Sequence, residues 1–248
     1  MKIQAYDAYS QIASGNRINT ASKDPAGLAI SEKLNSQIKG DQKGIQNIES
    51  SQDLLKVADG SLNSILDDLG RIRELAVQAG NGAYSSDDKS IIQNEINSLF
   101  ENIQNNVQNT EFNTKKLIDG SFTDQQLGVG ANGQGTTMTL EDSGLEALGL
   151  EGFSVTGNFD ISDIDDAISK VTTSLSEIGA KSNGLEANLN NTRVSELNQT
   201  AAKSSIADLD IAKAITNLNK QNVLDQYKNA MQNKKAEQQE QQQLGLLI

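Results

Sequence analysis

The 248-residue chain contains no histidine, cysteine or tryptophan, and its one proline is Pro25. Without imidazole there is no histidine base and no histidine metal ligand. Without thiols there is no disulfide, no thiolate zinc site and no cysteine nucleophile. Lack of cysteine does not by itself fix a compartment, but it suits a chain that crosses membranes unfolded. Aromatic residues are also scarce, at 4%, and hydrophobic residues make up 36%. Such a composition fits thin helical seams better than a thick globular core. Basic residues number 21 against 33 acidic ones, giving a net charge of −12, with no basic cluster. That argues against nucleic acid as a partner, because phosphate neutralisation needs clustered Lys and Arg. No apolar run approaches the roughly 18–20 residues that span a bilayer, which argues against membrane insertion. The opening MKIQAYDAYSQIASGNRINTAS holds no apolar run of signal-peptide length. A secreted chain of this kind is expected to leave without a cleaved leader.

What is present is helical periodicity. Leu34, Ile38, Ile45, Ile48, Leu55, Leu62, Leu66, Leu69 and Ala76 fall on alternating three- and four-residue steps. The spacing predicts one helix over about Ser31–Gln78, ended by Ala79-Gly80-Asn81-Gly82. Gly40, Gly44 and Gly70 interrupt it at about 1 kcal/mol each relative to alanine, so packing must hold it. A second helix is predicted from Ser86 to Asn109, with N-cap oxygens at Ser85, Ser86 and Asp87. Its apolar stripe is Ile92, Ile96, Leu99, Ile103 and Val107. From Gly120 to Gly157 glycines multiply, and Thr137–Leu140 reads as a short strand among tight turns. Helical spacing returns with Ile164, Ile168, Val171, Leu175, Ile178, Leu185 and Leu189, behind an apparent capping box at Ser162 and Asp165. A last helix is predicted through Ile206, Ile211, Ile215, Leu218, Leu224, Tyr227 and Met231, followed by a glutamine-rich run and the apolar tail Leu244–Ile248. The fold class is therefore mainly α: an elongated antiparallel long-helix bundle or coiled coil with a small β-hairpin insert.

Three patterns resemble chemistry and have plainer readings. Gly128-Val129-Gly130-Ala131-Asn132-Gly133 spells G-x-G-x-x-G, but a turn and strand follow it where a dinucleotide site needs a helix. Asp160, Asp163, Asp165 and Asp166 lack the glycine and glutamate of a calcium loop and suit a helix N-terminus instead. Arg71-Ile72-Arg73-Glu74-Leu75 reads, taken alone, as a solvated helix edge with weak ion pairs. No convergent polar site suggests an enzyme, and no cofactor is implied.

An ordered set of segments resembles bacterial flagellin. Ser14-Gly15-Asn16-Arg17-Ile18-Asn19 and Asp24-Pro25-Ala26-Gly27-Leu28-Ala29-Ile30-Ser31-Glu32 are similar to the family's N-terminal signature. Arg71–Ala79, Asn109–Asn113 with Leu117 and Asp119-Gly120, and Val129–Asn132 follow in the family's order. Leu175–Asn191, Ile206–Ala212 and the ending Leu246-Leu247-Ile248 complete the set. The resemblance implies a secreted structural subunit of the bacterial flagellum, exported by the type III route and working by helix–helix packing. Residues 1–27 and 201–248 then belong to the filament's inner core. Residues 28–120 and 161–200 form the rod, and residues 121–160 a small outward β region.

Thirteen residues precede Ser14, fewer than the family normally carries. The resemblance therefore implies that the last helix lacks much of its intrachain partner and is disordered beyond Met231. Expected partners are other flagellin subunits or copies of this chain, an export chaperone gripping the C-terminal helix, and a filament cap. Arg17, Asn19, Asp24, Ile211, Ile215, Leu218, Leu224 and Leu247 are the expected assembly residues. Arg71, Leu75 and Glu95 match positions through which the family engages the vertebrate Toll-like receptor for flagellin. The alternatives are a hook–filament junction protein, a secreted paralogue that does not polymerise, and a soluble coiled-coil adaptor.

Overall fold

A computed structural model describes the backbone of residues 2–130 and 132–245, with side chains for 7–130 and 132–239. Its elements are α1 (Lys2–Ser14), α2 (Pro25–Ala79), α3 (Ser86–Asn109), β1 (Glu111–Phe112), β2 (Lys115–Lys116), β3 (Gln125–Leu127), β4 (Thr136–Met138), α4 (Leu145–Leu148), α5 (Ser162–Ala207) and α6 (Ile211–Gly245). Contacts divide the chain into two units, Met1–Ile38 with Leu197–Ile248, and Lys39–Glu196.

In the unit Lys39–Glu196 the apolar stripes of α2, α3 and α5 merge into one core. Leu55, Leu62, Ile65, Leu69, Ile72 and Leu75 of α2 join Ile92, Ile96 and Ile103 of α3 and Ile164, Val171 and Ile178 of α5. Each such side chain, once buried, contributes about 1.5–3 kcal/mol. Polar pairs fix the directions of the helices. Asn106 Nδ2 and Thr110 Oγ1 donate to Ser61 on α2, while Arg71 near its far end pairs with Glu95 early in α3. Arg73 meets Asp165 at the start of α5, and Glu49 meets Arg193 towards its end. Both helices thus run antiparallel to α2.

The β elements are two separate hairpins. The pair β1–β2 turns on Asn113 and Thr114, both with positive φ, at 48° and 66°. The pair β3–β4 aligns Gln125 with Met138 and Leu127 with Thr136. The G-x-G-x-x-G segment is the loop of this second hairpin, with Gly130 N–H donating to Gln134 and Gly133 N–H to Gly130. Gly128 seats the loop on the helices: its N–H donates to Ser51 Oγ at 2.9 Å, and Asn47 Nδ2 donates to the Val129 carbonyl at 2.9 Å.

In the other unit, α1 packs against α6, and Leu218 of α6 is buried. The last helix therefore has an intrachain partner along part of its length. Past Met231, where the sequence suggested disorder, α6 stays helical to Gly245 with residues 232–239 exposed. Glutamine, lysine and alanine there are good helix formers even without a packed face.

Ser85 caps α3 as its sequence suggests, and two other local expectations are corrected. The capping box forms at Ser85 and Asp88, where Ser85 Oγ accepts from Asp88 N–H and the carboxylate accepts from Ser85 N–H. The Ser85 hydroxyl also donates to Asp88 Oδ2 at 2.7 Å, and this bond first, then that from Ser85 N–H, holds the Asp88 carboxyl below the ordinary carboxylate range. No such box forms at Ser162: Asp160 accepts from its N–H at 2.9 Å, and Asp165 is committed to Arg73. Finally, the helix expected to run unbroken through Ile206 and Ile211 ends at Ala207 and restarts at Ile211.

Candidate functional site

That break is built by side chains of the break itself and by a distant loop. Asp210 caps α6, its Oδ1 accepting from Lys213 N–H at 2.9 Å. Ser204 Oγ donates to Asp208 Oδ2 at 2.5 Å. The backbone of Asn16 lies antiparallel beside Asp208, because Arg17 N–H donates to Ala207 O at 2.7 Å and Leu209 N–H to Gly15 O at 2.9 Å. Gly15, at φ +69°, turns the chain out of α1 and into this pairing.

Arg17 reaches further and donates from Nη2 to the Ile206 carbonyl at 2.7 Å. A cation at the last carbonyls of α5 satisfies orphan acceptors and opposes the negative end of the helix dipole. Asp24 lies 3.9 Å from Arg17, too far for a hydrogen bond, and acts chiefly as a cap: its Oδ1 accepts from Gly27 N–H at 2.8 Å. Pro25 then occupies the first helical position, where no N–H is needed. Asn19 donates to Ser10 Oγ at 2.9 Å and accepts from Lys23 Nζ at 3.0 Å, while Ile18 is buried. Arg17, Asn19 and Asp24 are thus brought together in one loop, which they hold by hydrogen bonds to α1, α5 and the first turn of α2. The side chains of Arg17 and Asp24 remain 51% and 37% exposed.

The apolar residues of α6 divide. Leu218 is buried, whereas Ile211 is 47% exposed, Ile215 43%, Leu224 47% and Tyr227 64%. Val223 is exposed as well, and it escaped the sequence reading because it lies off the stripe traced through Leu224 and Tyr227. Leu247 lies outside the described residues. Large apolar side chains are thus left exposed along α6, where contact with another surface would remove them from water.

The second trio is split by burial. Arg71 Nη2 donates to Glu95 Oε1 at 2.7 Å and Nη1 to Glu74 Oε2 at 3.0 Å, with all three side chains at the surface. The Glu95 bond, then that to Glu74, pushes the guanidinium pKa up, so it stays charged. Leu75 instead is 2% exposed, because its side chain packs into the core shared by α2, α3 and α5. Of the three positions that the resemblance matches to receptor contacts, Arg71 and Glu95 lie at the surface and Leu75 is buried.

Long helices, with large apolar side chains exposed on the last of them, define a helical structural subunit. Residues 3–123 match the bacterial flagellin N-terminal helical region and residues 161–247 the bacterial flagellin C-terminal helical region. The chain belongs to the bacterial flagellin family. It is 35% identical to the flagellin of Bacillus subtilis strain 168 over 260 residues, covering 89% of this chain and 86% of that one. It is 32% identical to the flagellar filament 30.7 kDa core protein of Treponema maltophilum, covering 89% and 85% respectively. The crystal structure of Bacillus cereus flagellin superposes with a TM-score of 0.52 at 28% identity, covering 59% of this chain and 88% of that one. A hook-associated protein fold from Vibrio parahaemolyticus gives a TM-score of 0.63 at 18% identity, over 75% of this chain and all of that one, a likeness of fold alone. The chain is accordingly a structural subunit of the flagellar filament, outside the cell, and it assembles with other flagellin subunits. The hook–filament junction alternative is not favoured.

Proposed function

We propose that the ends of the chain, within the unit Met1–Ile38 with Leu197–Ile248, supply the filament's inner contacts and that the Lys39–Glu196 unit belongs to its rod and outward surface. Residues 1–27 and 201–248 take the core role, residues 28–120 and 161–200 the rod, and residues 121–160 the small β region. The observation that carries this reading is the exposure of Ile211, Ile215, Leu224 and Tyr227 on α6. Arg17, Asn19 and Asp24 support the same surface by holding the loop and the α5–α6 break in place, and Leu247 is the expected apolar anchor of the tail. Before assembly the exposed face of α6 is what an export chaperone would cover, and a filament cap would receive the subunit afterwards.

A Leu224→Asp, Tyr227→Asp double variant tests the contact directly. Neither side chain is buried in the chain, so helicity is expected to stay unchanged. Burying such side chains is worth about 1.5–3 kcal/mol each, so elongation from native filament seeds should weaken by more than about tenfold. Elongation at the rate of the unsubstituted chain would refute the assignment of α6 to the interface.

Receptor engagement is a second role that the family resemblance supports, with Arg71 and Glu95 as direct contacts and Leu75 acting through packing. Arg71→Ala with Glu95→Ala should then abolish most receptor signalling while leaving the thermal unfolding midpoint nearly unchanged. Undiminished signalling by that double variant would end the proposal.

A further inference from the structure

We propose that Asn81 is a site of hydrolytic self-modification, converting to aspartate and isoaspartate by attack of the Gly82 backbone nitrogen on its own carboxamide. The sequence holds three Asn-Gly pairs, at Asn81-Gly82, Asn132-Gly133 and Asn183-Gly184, and the fold sets them in three different situations. Asn183-Gly184 lies inside the 46-residue α5, where the helical ladder engages the glycine N–H and fixes the backbone away from ring closure. In the β3–β4 loop the Gly133 N–H is donated to the Gly130 carbonyl at 3.0 Å. Asn81 and Gly82 are exposed in the connection between α2 and α3, and Gly82 N–H makes no hydrogen bond among the described residues.

The same connection activates the electrophile. Ala83 N–H donates to Asn81 Oδ1 at 3.0 Å. That oxygen gains negative charge as a nitrogen adds to Cγ, and a preplaced N–H stabilises charge that develops in a transition state. The Gly82 nitrogen loses its proton to solvent base and forms the bond to Asn81 Cγ. The bond from Cγ to the side-chain nitrogen then breaks, and ammonia leaves with a proton from solvent. The resulting cyclic imide is opened by water at either carbonyl, giving aspartate by one opening and isoaspartate by the other. No oxidant or cofactor is needed.

Either product changes the joint that carries it. A carboxylate appears just beyond the C-terminal end of α2, where unpaired carbonyls already concentrate negative partial charge. Isoaspartate also adds a methylene to the backbone of a connection held by Tyr84 N–H to Asn81 O at 3.2 Å and by Gln78 Nε2 to Tyr84 Oη at 2.9 Å. The modification is therefore expected to loosen the α2–α3 turn as the protein ages.

The full chain, kept folded at mildly alkaline pH in water enriched in heavy oxygen, should be mapped by peptide mass spectrometry over time. Asn81 is expected to convert at least about tenfold faster than Asn132 or Asn183, whose reaction waits on local opening. In denaturant the three rates are expected to converge. Gly82 has open space at its missing Cβ and no positive φ, so Gly82→Ala keeps the fold while crowding the attacking nitrogen. That variant should slow conversion at Asn81 by about tenfold. The proposal is overturned if Asn132 or Asn183 keeps pace in the folded chain, or if Asn81 keeps its lead in denaturant. An unchanged rate in Gly82→Ala would overturn it as well.

Discussion

Truncating Leu69 to alanine is expected to lower the stability of the Lys39–Glu196 unit by about 3–4 kcal/mol, read from chemical denaturation. Leu69 is completely buried in the core shared by α2, α3 and α5. Alanine there forfeits the transfer energy of three carbons and leaves a cavity between long helices, which can close only if whole helices shift. The informative comparison is with its neighbours. Ile65 is equally buried, whereas Leu66 is only partly buried. Leu66→Ala is therefore expected to cost about 1–2 kcal/mol, well below the loss at Leu69. Equal losses at Leu66 and Leu69 would mean that the helix buries a single narrow seam.

Replacing Gly128 by alanine is the second large effect, expected at about 2–3 kcal/mol. Part of it is conformational, since φ at Gly128 is +62° and a side chain disfavours that region by about 1 kcal/mol or more. The remainder is steric. An added Cβ would lie 2.8 Å from Leu185 Cδ2 and 3.1 Å from Ile48 Cγ1, so the hairpin must lift from α2 and α5 or the two side chains must repack. Gly133 separates the two contributions, because its φ is +72° but nothing lies within 4 Å of its missing Cβ. Gly133→Ala is expected to cost only the conformational part, about 1 kcal/mol. If both variants lose the same stability, the hairpin is not seated on the helices through Gly128.

The contrast between Leu66 and Ile65 also shows how far the sequence could be read. A seam through Leu62, Leu66 and Leu69 follows a single coiled-coil stripe, and it located α2 and its antiparallel partners. Ile65, Ile72 and Leu75 lie off that stripe, yet they are buried because this part of α2 is covered on more than one side. A one-stripe reading cannot see a second partner, and for the same reason it gave no sign that Leu75 is buried. Pro25 held the true start of α2: a proline preceded by Asp24 and followed by helix formers is a capped first turn. The hairpin β1–β2 was hidden because its strands are two residues each and its turn uses Asn113 and Thr114 without glycine. At Asp208-Leu209-Asp210 no proline or glycine marks the break. Asp210 supplies a local cap for α6, but the backbone partners at Gly15 and Arg17 come from across most of the chain, a long-range cause that local spacing does not encode. Of the candidate site, the residue types of the Ser14–Asp24 loop were legible, whereas the partners of Arg17 at the end of α5 were not, because they lie far along the chain.

The pairing of Asn16 with Asp208 bears on the order in which the molecule can be completed. A polypeptide that becomes free to fold with its N-terminus first has every residue of Lys39–Glu196 available while later residues are still arriving. Gly15 and Arg17 must wait, because their partners at Leu209 and Ala207 come nearly two hundred positions later. One half of the subunit can therefore ripen early while the half bearing the exposed α6 face stays unfinished until the chain is almost whole. Delayed closure of that half would keep a nascent subunit from offering its neighbours a finished docking surface.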